Sequence, residues 1–191
     1  MIVIMSTSFG AALLSLSSRS RRLGAGEHLF HRDDPVSRLF VVVEGHIDLL
    51  RYAEDGSRLT LQRAGANSIV AEASVFSDRY HCDAVAAAPS VVAGIPKQRF
   101  RERLRGNADF AEAWTRHLGQ EVQALRLRSE ILSLNKVAAR LDAWLAWHGE
   151  APPKGGWKQL AQQIGVSPEA LYRELAKRRA GALFQAAGRI D

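Results

Sequence analysis

Between Leu29 and Ile95 the apolar residues fall in short runs rich in β-branched side chains: Leu39 to Val43, Ile47 to Leu50, Leu59 to Leu61, Ser68 to Val70, Ala84 to Ala87 and Ser90 to Ile95. Turn formers separate them at Glu44-Gly45, Glu54 to Ser57, Gly65 to Asn67 and Ala88-Pro89. Evenly spaced short strands with turn signals predict an antiparallel β-roll or sandwich. Ahead of it, about Ala11 to Arg22 reads as a short helix, apolar at Leu13, Leu14 and Leu16 and broken by Leu23 to Gly26. At Pro96 the period turns helical and runs to about Leu134, with a break near Gly106-Asn107.

Within that stretch Trp114, Leu118, Val122, Leu125, Ser129 and Leu132 step by four or three residues. The seam is narrow enough to pair two helices, and the competing expectation is that it packs on the chain's own roll. A further helix is expected from about Lys136 to His148, apolar at Val137, Leu141, Trp144 and Leu145, followed by a loop from Glu150 to Gly156.

The segment from Trp157 to Arg179 has the pattern of a helix-turn-helix. Leu160, Ala161 and Ile164 form the apolar stripe of a first helix, Gly165 supplies a positive φ at its end, and Val166 fills the gap. Ser167 caps a second helix, with Pro168 at its first position and Glu169 near its positive end. Leu171 and Leu175 then face inward, leaving Glu169, Ala170, Arg173 and Lys177 on one outward stripe that suits a DNA major groove. An ordinary amphipathic helix pair is the plainer alternative, and charge decides between them. From Lys154 to Asp191 there are seven basic side chains against three acidic ones, which concentrates most of the chain's formal +6 where phosphate binding needs it. Lys158, Gln159, Ser167, Glu169, Ala170, Arg173, Lys177 and Arg189 are the expected DNA-contacting residues, with Lys158, Lys177, Arg178 and Arg189 suited to phosphates and Glu169 and Arg173 to base edges.

At 191 residues and 47% hydrophobic content the chain has ample material for a core, as one domain or two. A pI near 10 favours an anionic partner. No apolar run approaches the roughly 20 residues a spanning helix needs. Met1 to Met5 has neither the basic flank nor the cleavage pattern of a signal peptide, and Met5 serves equally well as the start. With Cys82 as the only cysteine, an internal disulfide and a four-cysteine metal site are both excluded, and the cytoplasm is the expected compartment. No metal site is expected. A Gly-rich phosphate loop, His-Glu-x-x-His, Gly-x-Ser-x-Gly and paired carboxylates are all absent, so an enzyme is not expected.

A β-roll, a long seam helix and a C-terminal helix-turn-helix in this order resemble the Crp/Fnr family of bacterial transcription regulators. Three pieces carry the likeness: Leu29-Phe30 with Asp33 or Asp34 and then Leu39 to Gly45, similar to the roll's opening hairpin; Glu72 with Val75-Phe76, similar to the phosphate-binding cassette; and Ile164 to Arg173, similar to the DNA-reading element. The resemblance implies an α+β chain: an N-terminal antiparallel cyclic-nucleotide-binding-like roll over 1–106, a dimerisation helix over 107–134 and a winged helix-turn-helix over 135–191. It implies a homodimer joined through Trp114, Leu118, Val122, Leu125 and Leu132, double-stranded DNA with an inverted-repeat site, RNA polymerase as a partner, and a short wing after Leu183.

The cassette departs from the family's pattern. Members that bind cyclic nucleotides read Gly-Glu-Leu and then Arg-Ser, where this chain has Ala71-Glu72-Ala73 and, without gaps, Cys82-Asp83. A carboxylate in that place repels a phosphate, so cyclic AMP in the usual mode is not expected. Arg79 is the one nearby substitute cation, with a solvated loop arginine as the plainer reading. Glu72, Ala73, Arg79, His81, Cys82 and Asp83 are therefore the candidate effector residues. His81 or Cys82 opens a haem- or redox-sensing alternative, but extended neighbours face opposite sides, so at most one looks into the roll, and no resolving cysteine exists. The remaining alternative is a ligand-free roll serving as an interaction scaffold.

Overall fold

The apolar runs from Leu29 to Ile95 form strands, and their pairing explains why several are apolar throughout. In the computed structural model, which describes the backbone of residues 3–187 and the side chains of residues 9–180, eight strands build two antiparallel sheets. These are β1 (Arg19–Leu23), β2 (His28–Phe30), β3 (Arg38–Glu44), β4 (Ile47–Tyr52), β5 (Arg58–Ala64), β6 (Ile69–Val70), β7 (Asp83–Ala86) and β8 (Ser90–Pro96). One sheet has the order β1-β8-β3-β6 and the other β2-β7-β4-β5. On β3, Phe40 and Val42 enter a core with Leu29, Phe30, Leu49, Tyr80, Cys82 and Ala84. Leu39 and Val41 point the other way and are also fully buried, on sheet strands that meet α1 (Val3–Leu14) and α2 (Lys97–Gly106). A strand covered on both faces loses its alternation, which is the pattern seen.

The Glu44-Gly45 turn requires its glycine. Gly45 has φ +80°, and a Cβ there would lie 2.5 Å from the Pro89 carbonyl oxygen. The expected helix over Ala11 to Arg22 is corrected: α1 ends at Leu14, and Arg19 to Leu23 form an edge strand paired with β8 from Arg19↔Gly94 to Leu23↔Ser90. Four of the five β1 side chains are exposed, so backbone pairing, not a side-chain pattern, specifies the strand.

Helix α3 (Ala108–Ser133) follows the break at Asn107, whose side-chain oxygen accepts from the Phe110 N–H at 2.7 Å. The chain divides into two units between His117 and Leu118, inside α3. In the first, Trp114 is buried against Phe9 and Phe100, with ring centroids 5.7 and 4.8 Å away. In the second, Ile131 of α3 joins α4 (Val137–His148), α5 (Trp157–Gln163) and α6 (Pro168–Ala187) around Leu141, Trp144, Leu160, Ile164 and Leu171. Residues 183–187, expected in a wing, instead continue α6, with neither glycine nor proline between Ala182 and Ala187, and 188–191 lie outside the described residues. Among the described residues no helix is long and apolar enough to cross a membrane.

Candidate nucleic-acid interface

The turn between α5 and α6 is fixed from three directions. Gly165 takes φ +64°, and a Cβ there would meet the Leu132 side chain, so no other residue fits without displacement. Ser167 Oγ accepts from the Ala170 N–H at 3.2 Å, capping α6, and Pro168 occupies the first helical position. Leu171 is fully buried, worth about 1.5–3 kcal/mol by removal of its surface from water, while Val166 and Leu175 pack at the margin of the same core.

The third direction is Arg140, which the sequence reading missed. Its guanidinium donates to the carbonyls of Leu132 (3.0 Å), Leu134 (2.6 Å), Ile164 (3.1 Å) and Gly165 (2.7 Å), joining the end of α3 to the α5–α6 turn. One signal was available: a cation in the first turn of a helix opposes the macrodipole, so it needs acceptors elsewhere.

This frame leaves Glu169, Arg173 and Lys177 exposed at four-residue spacing along α6, with Ala170 half-buried beside them. Lys158 and Gln159 are exposed on α5. Hydrogen bonding from its own backbone N–H and from Ser167, with Arg173 and Lys158 nearby, holds the Glu169 carboxyl below the usual range. The stripe therefore presents an ionised acceptor next to cations. Arg178 is corrected from phosphate contact to structure. It donates to Asp142 (2.6 Å), Glu174 (2.7 Å) and the Ala138 carbonyl (3.1 Å), which ties α6 to α4. Arg179 lies over the Trp157 ring at 4.9 Å, and Arg189 is outside the described residues.

The seam residues separate into two groups. Trp114 belongs to the core of the first unit, because the rings of Phe9 and Phe100 pack against it. Leu118 is half-buried, whereas Val122 (45%), Leu125 (59%) and Leu132 (40%) stand exposed, unusual for such residues.

The candidate effector residues differ in burial and in their partners. Cys82 is 1% exposed in the core between the sheets, and burial, then the Asp83 charge, push its thiol up to about 11. A thiol so held resists oxidation, because the thiolate is the reactive form. His81, its neighbour, faces the opposite way, exposed, with Nδ1 3.0 Å from Ser74 Oγ. Arg79 donates to the Asp33 carbonyl at 2.6 Å, and Asp83 accepts from the Arg32 N–H at 3.1 Å. Glu72 opens a 3-10 turn, Glu72–Ser74, behind Ala71 at φ +72°, and Ala73 is exposed. A cleft of about 500 Å³ does open in the roll, lined by Arg19, Arg21, Arg38, Phe30, Phe40 and Tyr80 among others, and by none of those six.

Residues 20–107 match the family of the cyclic nucleotide-binding domain. Among curated relatives, the global nitrogen regulator of Synechococcus elongatus is 25% identical over 124 residues, covering 63% of this chain and 55% of the relative. The chain spans about half the length of the curated relatives it matches. Two solved structures share the fold over most of their length. The c-di-GMP responsive global regulator CLP of Xanthomonas campestris has TM-score 0.62 at 21% identity, covering 92% of this chain and 93% of that one. FixK2 of Bradyrhizobium japonicum has TM-score 0.67 at 14% identity, covering 86% and 85%. The chain thus carries a region similar to the cyclic nucleotide-binding domain, followed by the α3 to α6 helices, and shares the overall fold of these regulators.

Proposed function

We propose that the chain is a homodimeric, sequence-specific DNA-binding regulator of transcription that acts in the cytoplasm on an inverted-repeat site. The observation that carries this reading is the α5–α6 pair, whose pinned turn leaves Glu169, Arg173 and Lys177 exposed along one stripe. Arg173 and Glu169 read base edges, while Lys158 and Lys177 hold phosphates and Gln159, Ser167 and Ala170 approach the same groove. A single recognition helix buries too little surface to select a site in a genome, so two are needed. Leu118, Val122, Leu125 and Leu132 supply the apolar line that joins them, which the exposure of the last three supports. RNA polymerase contact follows from the family resemblance.

The roll acts as the sensory part, with cyclic AMP in the usual mode not its effector. Asp83 where a phosphate ligand would stand, and Arg79 turned to the Asp33 carbonyl, support that reading. Selection of bound duplexes from random DNA tests the proposal as a whole. An inverted repeat with half-sites about 34 Å apart is expected; recovery of no preferred sequence would overturn it.

A further inference from the structure

His28, His31 and Asp83 bring two imidazoles and a carboxylate together, although Asp83 is far from the two histidines in the sequence and no catalytic or DNA-binding argument uses them. In a regular strand residues three apart point to opposite faces. Here the β2–β7 pairing shifts register between His28 and Phe30, so three residues of β2 face two of β7, His28↔Val85 and Phe30↔Ala84. An irregularity of this kind re-aims side chains. The two imidazoles end up on the same side, with ring centroids 4.1 Å apart and planes 22° from parallel. Asp83, the first residue of β7, places Oδ1 3.5 Å from His31 Nδ1. One ligand atom from each of the three lies within 4.8 Å of the others.

The backbone around the cluster is held before any ligand arrives. The His31 N–H donates to Asp34 Oδ2 at 2.8 Å, and the Arg32 N–H donates to Asp83 Oδ1 at 3.1 Å. The Asp33 N–H donates to the Tyr80 carbonyl and the Tyr80 N–H to the Asp34 carbonyl, at 2.9 and 3.0 Å. Arg32, the cation nearest in sequence, lies against Asp33 at 3.6 Å. A backbone donor on a ligating carboxylate orients it as outer-sphere partners do in metal sites.

We propose that His28, His31 and Asp83 bind one divalent transition-metal ion of the zinc class. Two imidazoles and one carboxylate suit zinc, cobalt, nickel or ferrous iron, whereas calcium and magnesium take oxygen donors. Bonds of about 2.0–2.2 Å put neighbouring ligand atoms roughly 3–3.5 Å apart, so His31 and Asp83 already stand at the right separation and small side-chain rotations bring in His28. Three protein ligands leave a position for water or a small anion. Such an ion would clamp β2 to the start of β7. The inference does not depend on the DNA-binding reading.

Cobalt(II), a spectroscopic substitute for zinc, is the probe. Titrated into the chelator-treated full chain it should give d–d bands that saturate at one ion per chain and vanish on addition of zinc. His28→Gln and His31→Gln should each weaken binding at least about tenfold, and His81→Gln should leave it unchanged. X-ray absorption at the zinc edge of the unaltered protein should show two imidazoles and no sulfur, a readout that does not depend on how the variants fold. Absence of saturable binding, retention of affinity in the His28→Gln/His31→Gln double variant, or a spectrum with fewer than two imidazoles would overturn the site.

Discussion

The Arg140 guanidinium donates to the Gly165 carbonyl at 2.7 Å, linking the first turn of α4 to the turn that precedes α6. Three further carbonyls, those of Leu132, Leu134 and Ile164, accept from the same side chain. Charge-assisted hydrogen bonds contribute more than neutral ones, and removing the donor leaves helix-end carbonyls with one partner fewer. Arg140→Met should therefore cost about 2–3 kcal/mol in urea denaturation, whereas Arg116→Ala, which breaks only an exposed pair with Glu112, should cost about 0.5 kcal/mol or less. Equal effects would contradict a structural role for Arg140.

The exposed apolar line on α3 and the buried Trp114 should respond differently to mutation. Leu118→Glu with Leu125→Glu should leave a folded monomer by light scattering, with loss of operator binding. Trp114→Ala should instead lower stability by about 3–5 kcal/mol and keep the dimer wherever the protein remains folded. A double variant that stays dimeric would remove the seam assignment.

Neither cyclic AMP nor cyclic GMP should bind in the micromolar range by calorimetry. Read without gaps, the cassette puts the Asp83 carboxylate where a phosphate would need a donor, and Cys82 beside it is buried in the core. Micromolar binding of either nucleotide would show that the cassette is read in the wrong register.

Lys177 and Arg178 are adjacent basic residues with separate jobs. Lys177 is exposed, so Lys177→Ala should weaken all DNA sequences alike and reduce the salt slope by about one. Arg178 is occupied by Asp142 and Glu174, so Arg178→Ala should leave the salt slope nearly unchanged and show itself as lost stability. A salt slope altered equally by both would place Arg178 on phosphate as well.

Much of this was legible in the sequence because local chemistry and tertiary structure agree. Gly165, Ser167 and Pro168 mark the helix-turn-helix by conformational needs few other residues meet, and the strands from β3 to β8 announce themselves by β-branched runs between turns. What could not be read depends on pairing across distance. β1 is a strand only because β8 lies beside it, and Arg140 matters only because α3 and the Gly165 turn end within reach of it. The convergence of His28 with His31 rests on a register shift that no residue in β2 signals. Trp114 fits the step of the seam, and it is buried only because Phe9 and Phe100, distant in sequence, pack against it.

The central claim is that α6 reads DNA through Arg173 as one of two symmetry-related helices. Selection from random duplexes with the unaltered chain and with Arg173→Ala tests it most directly. The unaltered chain should recover an inverted repeat, and Arg173→Ala should lose about 1–3 kcal/mol on that site and flatten the preference at one base pair in each half. A selected site without two-fold symmetry, or an Arg173→Ala profile identical to that of the unaltered chain, would contradict it.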